Sequence, residues 1–176
     1  QVSLSAFSFL FSEMVQYFQD RVTSIADLER KLEEAGYGMG LRVLELQTFR
    51  ERLQKRRVRL LPMLQWVSSN VWKASRGCAL FGKTADSLER STENEDEYMI
   101  HEREPMTNSF VSVPADLGQL NCAALVAGVI AGVLDGASFP ARVSAHNVEM
   151  EKGQREKTVF LIKFDPEVLA REARLG

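Results

Sequence analysis

The sequence predicts an α+β fold, with helices packed on one face of a four-stranded antiparallel sheet. Three observations carry this reading. Apolar residues recur at helical spacing from Leu4 to Leu53, and again from Leu61 to Ala74. From Tyr98 onward the period shortens to the alternation of strands. One small-residue helix then interrupts the strands, so the expected order is helix-helix-helix-ββαββ-helix. The chain, 176 residues long, reads as a single domain, 1–176. A chain of that length buries roughly 70% of the surface its unfolded state exposes.

Helix one is expected from about Ser3 to Phe18. Its stripe is Leu4, Phe7, Phe11, Met14, Val15 and Phe18, and Phe9 and Leu10 widen it beyond one face. One sheet cannot cover every side of an outer helix, so the surplus aromatic surface is expected to be an interface. The segment lacks a basic leader and reads as an amphipathic helix, not a signal peptide.

Helix two opens with Ser24-Ile25-Ala26-Asp27, a capping box in its Asp form, and runs to about Leu53. It passes straight through Gly36-Tyr37-Gly38-Met39-Gly40 while Leu28, Leu32, Ala35, Met39 and Val43 keep the apolar period. Each glycine costs a helix about 1 kcal/mol against alanine. Glycines tolerated there imply close approach of another backbone, so Gly36 and Gly40 are expected within the helix at a close helix–helix or helix–sheet contact.

Arg50, Arg52, Lys55, Arg56, Arg57 and Arg59 form a basic stretch that reads either as a solvated helix end or as a surface for an acidic partner or lipid headgroups. Helix three follows from about Arg59 to Arg76, with Pro62 admitted in its first turn. Gly82 to Glu97 is polar and reads as a loop. Strands are expected at Tyr98–Arg103 and Ser109–Val113, around a turn from Glu104 to Asn108. Leu117 to Leu134 is the next helix. Gly128 and Gly132, with Ala124, put small residues on one of its faces, and this face is expected to lie flat on the sheet. Two more strands, Ala141–Met150 and Thr158–Phe164, and a last helix after Asp165-Pro166 complete the order.

Charge and chemistry exclude several function classes. Net charge is -2, so no global basic field attracts nucleic acid. Cys78 and Cys122 stand too far apart for zinc spacing and suit a reducing compartment. The G-x-G-x-G run follows a helix pattern, and so lacks the strand and spacing of a dinucleotide fingerprint. His101 and His146 both fall in strand patterns with no cluster of further ligands, and no serine sits in a nucleophile motif. No catalytic, metal or cofactor residue is expected, and no cofactor.

Several pieces together resemble one family. Gly36-Tyr37-Gly38-Met39-Gly40-Leu41-Arg42 is similar to the helix-two signature of the small α+β subunits of TRAPP, the transport protein particle. Val71-Trp72-Lys73, Leu80-Phe81-Gly82-Lys83-Thr84-Ala85-Asp86, Glu102-Arg103-Glu104-Pro105, Phe110-Val111-Ser112-Val113-Pro114 and Leu120-Asn121-Cys122-Ala123 resemble segments of its fifth small subunit. So do Phe139-Pro140-Ala141, Leu161-Ile162-Lys163-Phe164 and the opening Val2-Ser3-Leu4-Ser5-Ala6-Phe7. Ser75 to Ala79 stands as an insertion in that pattern.

The resemblance implies a non-catalytic subunit of a vesicle-tethering complex in ER-to-Golgi transport, cytoplasmic and peripheral at the ER and cis-Golgi. Once assembled, the complex acts as a Rab GTPase exchange factor. The subunit would form a heterodimer with a related α+β subunit through its first two helices, with Phe7, Phe9, Phe11, Met14, Phe18, Leu28 and Leu32 as the expected contact residues. Elsewhere it would meet a longin-type subunit. Nucleic acid is not an expected partner, and membrane contact is at most peripheral. A paralogous subunit carries an acylated cysteine between helices two and three; that region here reads Lys55-Arg56-Arg57, so acylation is not carried over. The alternative is a vinyl-reductase-like domain that senses a small apolar molecule.

Overall fold

The structure, a computed structural model, describes residues 4–51, 56–71, 85–103, 105, 107, 120–148 and 157–175. Its elements in chain order are helices α1 (Leu4–Gln19), α2 (Ile25–Glu51) and α3 (Leu60–Trp66), strands β1 (Ser87–Arg90) and β2 (Glu97–Glu102), helix α4 (Ala124–Gly136), strands β3 (Ala141–Val148) and β4 (Lys157–Phe164), and helix α5 (Pro166–Leu175). The strands form one antiparallel sheet in the order β1-β2-β4-β3. The ββαββ order therefore holds, but its first two strands are not the expected pair.

The strand at β1 lies inside the segment expected to be a polar loop. Only Leu88 marks it, paired with Ile100 and turned toward the core. A single apolar residue in four cannot show an alternation, and it is pairing with β2 that makes this segment a strand. The strand expected at Ser109–Val113, the insertion at Ser75–Ala79, the far end of helix three and Leu53 lie outside the described residues.

Strand alternation sorts the sheet into two faces. Val143, Ile100, Phe160, Ile162 and Phe164 point inward and are buried. They meet Leu60, Met63, Leu64 and Trp66 of α3, Ile130 and Val133 of α4, and Val168 of α5 in one core. Pro62 sits in the first turn of α3, where its missing N–H is not needed. Five residues in π-helical geometry, Val67–Val71, continue α3.

A second core lies on the far side of α4. Phe11 of α1, Leu28 and Leu32 of α2, and Leu120, Cys122, Ala124 and Leu125 at the start of α4 make it. The α2 cap forms as its sequence implies: the Ser24 hydroxyl accepts the Asp27 N–H at 3.1 Å and donates to its carboxylate at 2.8 Å.

Helix α4 begins at Ala124, later than the expected Leu117, although residues 117–119 lie outside the description. Asn121 supplies the reason. Its side chain accepts the Ala123 N–H at 3.1 Å and donates to the Ala145 carbonyl at 2.8 Å, while its own N–H goes to Glu29 at 2.7 Å. These bonds hold 120–123 against β3 and α2 instead of in a helix.

Candidate partner surface

The two glycine pairs meet face to face. A β-carbon at Gly36 would strike the Leu125 carbonyl, and one at Gly40 would strike that of Val129 and lie 2.9 Å from the Val133 nitrogen. Going the other way, β-carbons at Gly128 and Gly132 would strike the carbonyls of Glu33 and Tyr37. So α2 and α4 touch backbone to backbone, and the small-residue face of α4 expected on the sheet lies on α2 instead, because only glycine against glycine lets two helix backbones come this close. Tyr37 hydrogen-bonds to Asp135 beside this crossing, which raises the Tyr37 pKa.

This joint fixes which side of α2 is left for α1, and α1 is held there by few side chains. Phe11 is 2% exposed and stacks on Phe7 at a centroid distance of 6.0 Å. Phe7, Met14 and Phe18 are half-buried against it. Phe9 and Leu10 stand 75% and 70% exposed on the opposite side. Leu46 and Phe49 of α2 are also exposed, Phe49 at 81%. The expected contact residues thus divide. Phe11, Leu28 and Leu32 are buried in the chain's own core and are not available to a partner. Phe9 is fully available, and Leu10, Leu46 and Phe49, absent from the expected set, join it. The helical stripe could not separate these groups because Phe9 and Leu10 widen it beyond one face.

The basic stretch is largely spent inside the molecule. Arg56 donates to the Ala137 carbonyl at 3.0 Å, and Arg59 pairs with Glu172 at 2.9 Å. Arg57 lies 3.4 Å from the Glu51 carboxylate, with its guanidinium 4.9 Å from the Trp66 ring centre. Glu51 also accepts the Trp66 indole N–H at 3.2 Å and a bond from the Asn70 amide. These contacts tie the end of α2 to α3. Residues 52–55 lie outside the description.

His101 and His146 do share the outer sheet face, because both pair with Val159 of β4. They sit two strand spacings apart, roughly 10 Å, too far to share a ligand. His101 is buried, its pKa lowered first by that burial and then by Lys157, against Glu89, whose carboxylate lies 3.3 Å away. The ring Nε2 of His146 lies 2.8 Å from the Ser144 hydroxyl, and no acid among the described residues orients the other ring nitrogen. His146 lines an unexpected feature, an open polar hollow of about 450 Å³ bounded by Glu29, Glu33, Asn121, Ser144, His146 and Asn147. Burial raises the Glu33 pKa, then Glu29 does, with Arg142 opposing. Among the described residues, no three His, Cys, Asp or Glu side chains stand close enough to hold a metal ion. Burial pushes the Cys122 thiol up to about 11, which leaves it a small apolar filler instead of a nucleophile. No helix among the described residues is long and apolar enough to cross a membrane.

Residues 7–165 match the family model described as "Transport protein particle (TRAPP) component". "Trafficking protein particle complex subunit 5" of Dictyostelium discoideum is 52% identical over 173 residues, 98% of this chain and 90% of that protein. The Homo sapiens protein of the same description is 43% identical over 175 residues, covering 99% and 87%. "Trafficking protein particle complex subunit 31" of Saccharomyces cerevisiae is 28% identical over 233 residues, covering 98% and 79%. Among solved structures, a trafficking protein particle complex subunit 3 from Naegleria fowleri, covalently bound to palmitic acid, superposes with a TM-score of 0.70. It is 20% identical and covers 92% of this chain and 95% of its own, so the likeness is one of fold.

Proposed function

Since the chain belongs to the transport protein particle component family, whose matched members are trafficking-complex subunits, we propose that it is a non-catalytic, structural subunit of a vesicle-tethering complex in ER-to-Golgi transport. In this reading it is cytoplasmic, peripheral at the ER and cis-Golgi. It forms a heterodimer with a related α+β subunit, contacts a longin-type subunit elsewhere, and acts on a Rab GTPase only as part of the assembled exchange factor. The observation that carries the pairing is the exposure of the large apolar side chains Phe9 and Leu10 on α1, with Leu46 and Phe49 exposed on α2. Neighbouring large apolar side chains left in water, as Phe9 and Leu10 are, mark a partner site. The isolated Ser144–His146 pair, with no orienting acid among the described residues, supports the non-catalytic half of the reading.

The test is binding to a related subunit, followed by calorimetry. Phe9→Ala and Leu10→Ala together should weaken the dimer by at least ~2 kcal/mol, about thirtyfold, with the chain still folded. Native affinity in that double variant sinks the pairing surface. Phe11→Ala is the contrast. It should lower the melting temperature of the free chain, because it empties the chain's own core.

A further inference from the structure

The turn between β1 and β2 carries a pattern that neither packing nor assembly uses. It reads Ser91-Thr92-Glu93-Asn94-Glu95-Asp96-Glu97. We propose that the Thr92 hydroxyl is a phosphorylation site for a protein kinase that reads carboxylates on the C-terminal side of its acceptor.

Counted from Thr92, acids stand one, three, four and five residues on. A kinase whose cleft is lined with Lys and Arg selects its substrates by such a charge pattern. The structure singles out Thr92 from its neighbours. Its side chain is exposed, and its hydroxyl has no partner among the described residues. Ser91 next to it is occupied: its hydroxyl accepts the N–H groups of Glu93 and Asn94 at 3.3 and 3.2 Å, and its own N–H goes to Glu97 at 2.9 Å. It also has Asn94, not an acid, three residues on. Ser24, whose third following residue is Asp27, spends its hydroxyl on the α2 cap.

Access is the remaining requirement. Strand β1 is a four-residue edge strand with a neighbour on one side only, and Leu88 is its one inward apolar residue. Fraying it loosens the Thr92 side of the turn without opening the core, while the Asp96 carbonyl still accepts the Phe164 N–H at 3.0 Å. Asp96 and Glu97 reach Lys163 at 3.6 and 2.9 Å, an exposed pairing that a basic cleft can replace.

In the reaction the bond between the γ-phosphorus and the bridging oxygen of ATP breaks, ADP leaves, and Thr92 Oγ1 forms the new P–O bond. The hydroxyl proton passes to the kinase's base. The product adds about -1.5 to -2 charges, which roughly doubles the net charge of the chain. No side chain of the turn, 91–96, belongs to either core, and the strands it joins pack on the core beneath the sheet, not on the one around α1. The modification is therefore independent of the proposed partner surface.

The experiment incubates the full chain with ATP and casein kinase 2, a kinase directed by acids, and in parallel with a kinase directed by bases. The intact mass should rise by one phosphoryl group with the first enzyme, and fragmentation should place it on Thr92. Thr92→Val should abolish the gain. The Glu95→Gln, Asp96→Asn double variant, which keeps the hydroxyl, should slow it at least about tenfold. A melting curve for each variant confirms that it is folded. No mass gain, a gain that survives Thr92→Val, or faster transfer by the base-directed kinase overturns the proposal.

Discussion

Two positions, Gly40 and Glu33, show how far a local surrounding decides behaviour. At Gly40 the neighbour is backbone, which cannot rotate away. Gly40→Ala should therefore destabilise the chain by at least about 2 kcal/mol through overpacking, read from its denaturation midpoint. An unchanged midpoint would mean that the helices separate at little cost. Gly38 is the control, since a β-carbon there meets only the flexible end of Arg42 at 3.6 Å. Gly38→Ala should be neutral or stabilising, because alanine favours the helix. At Glu33 the surroundings are charge and burial, which raise its folded-state pKa above 4.5. Below the unfolded pKa both states are protonated and the group contributes nothing. As pH rises through the raised folded value, the native state bears the cost of a carboxylate it holds poorly. Glu33→Gln should thus melt higher than the parent at pH 7, with the gap closing as pH falls toward and below the carboxylate range. A gap independent of pH would refute that sign.

Among the elements, α1, α2, α5 and the two long strands β3 and β4 were legible in the sequence, each to within a few residues, because each carries its own period or cap. The glycines of α2 could be read as a close approach, since a helix that tolerates them needs a reason. That the approach was to Gly128 and Gly132 could not be read, because spacing within one helix says nothing of its partner. β1 was missed because its stability comes from Ile100 and Tyr98 opposite, not from its own four residues. The start of α4 was placed early because an apolar run does not reveal that Asn121 is bonded outside the helix. The partner surface was half legible. An apolar stripe too wide for one face of α1 announces an interface, but only packing shows that Phe11 faces in and Phe9 out. The Glu51 junction could not be read at all, since its members Arg57, Trp66 and Asn70 are scattered in sequence. Glu51→Ala leaves the Trp66 N–H and the Asn70 amide without their acceptor. It should cost about 1–3 kcal/mol and shift the Trp66 fluorescence. If neither changes, the junction is incidental.

At the scale of the molecule, the two cores differ in how they are closed. The one beneath the sheet is walled by strands and by three helices, and the one around Phe11 only by α1, α2 and the start of α4. Hydrogen exchange should divide accordingly: α1 amides protected less than those of α2 and α4 in the free chain, and protected more once a related subunit is bound. Equal protection in the free chain would mean that α1 needs no partner to hold it. The glycine joint has a mechanical counterpart. Where backbones touch directly there is little void for compression to remove, and it is the loss of internal voids that drives unfolding under hydrostatic pressure. Squeezed at constant temperature, the chain should yield first around Phe11 and last at the α2–α4 crossing, so that pressure loosens the docking helix while leaving intact the frame it docks from.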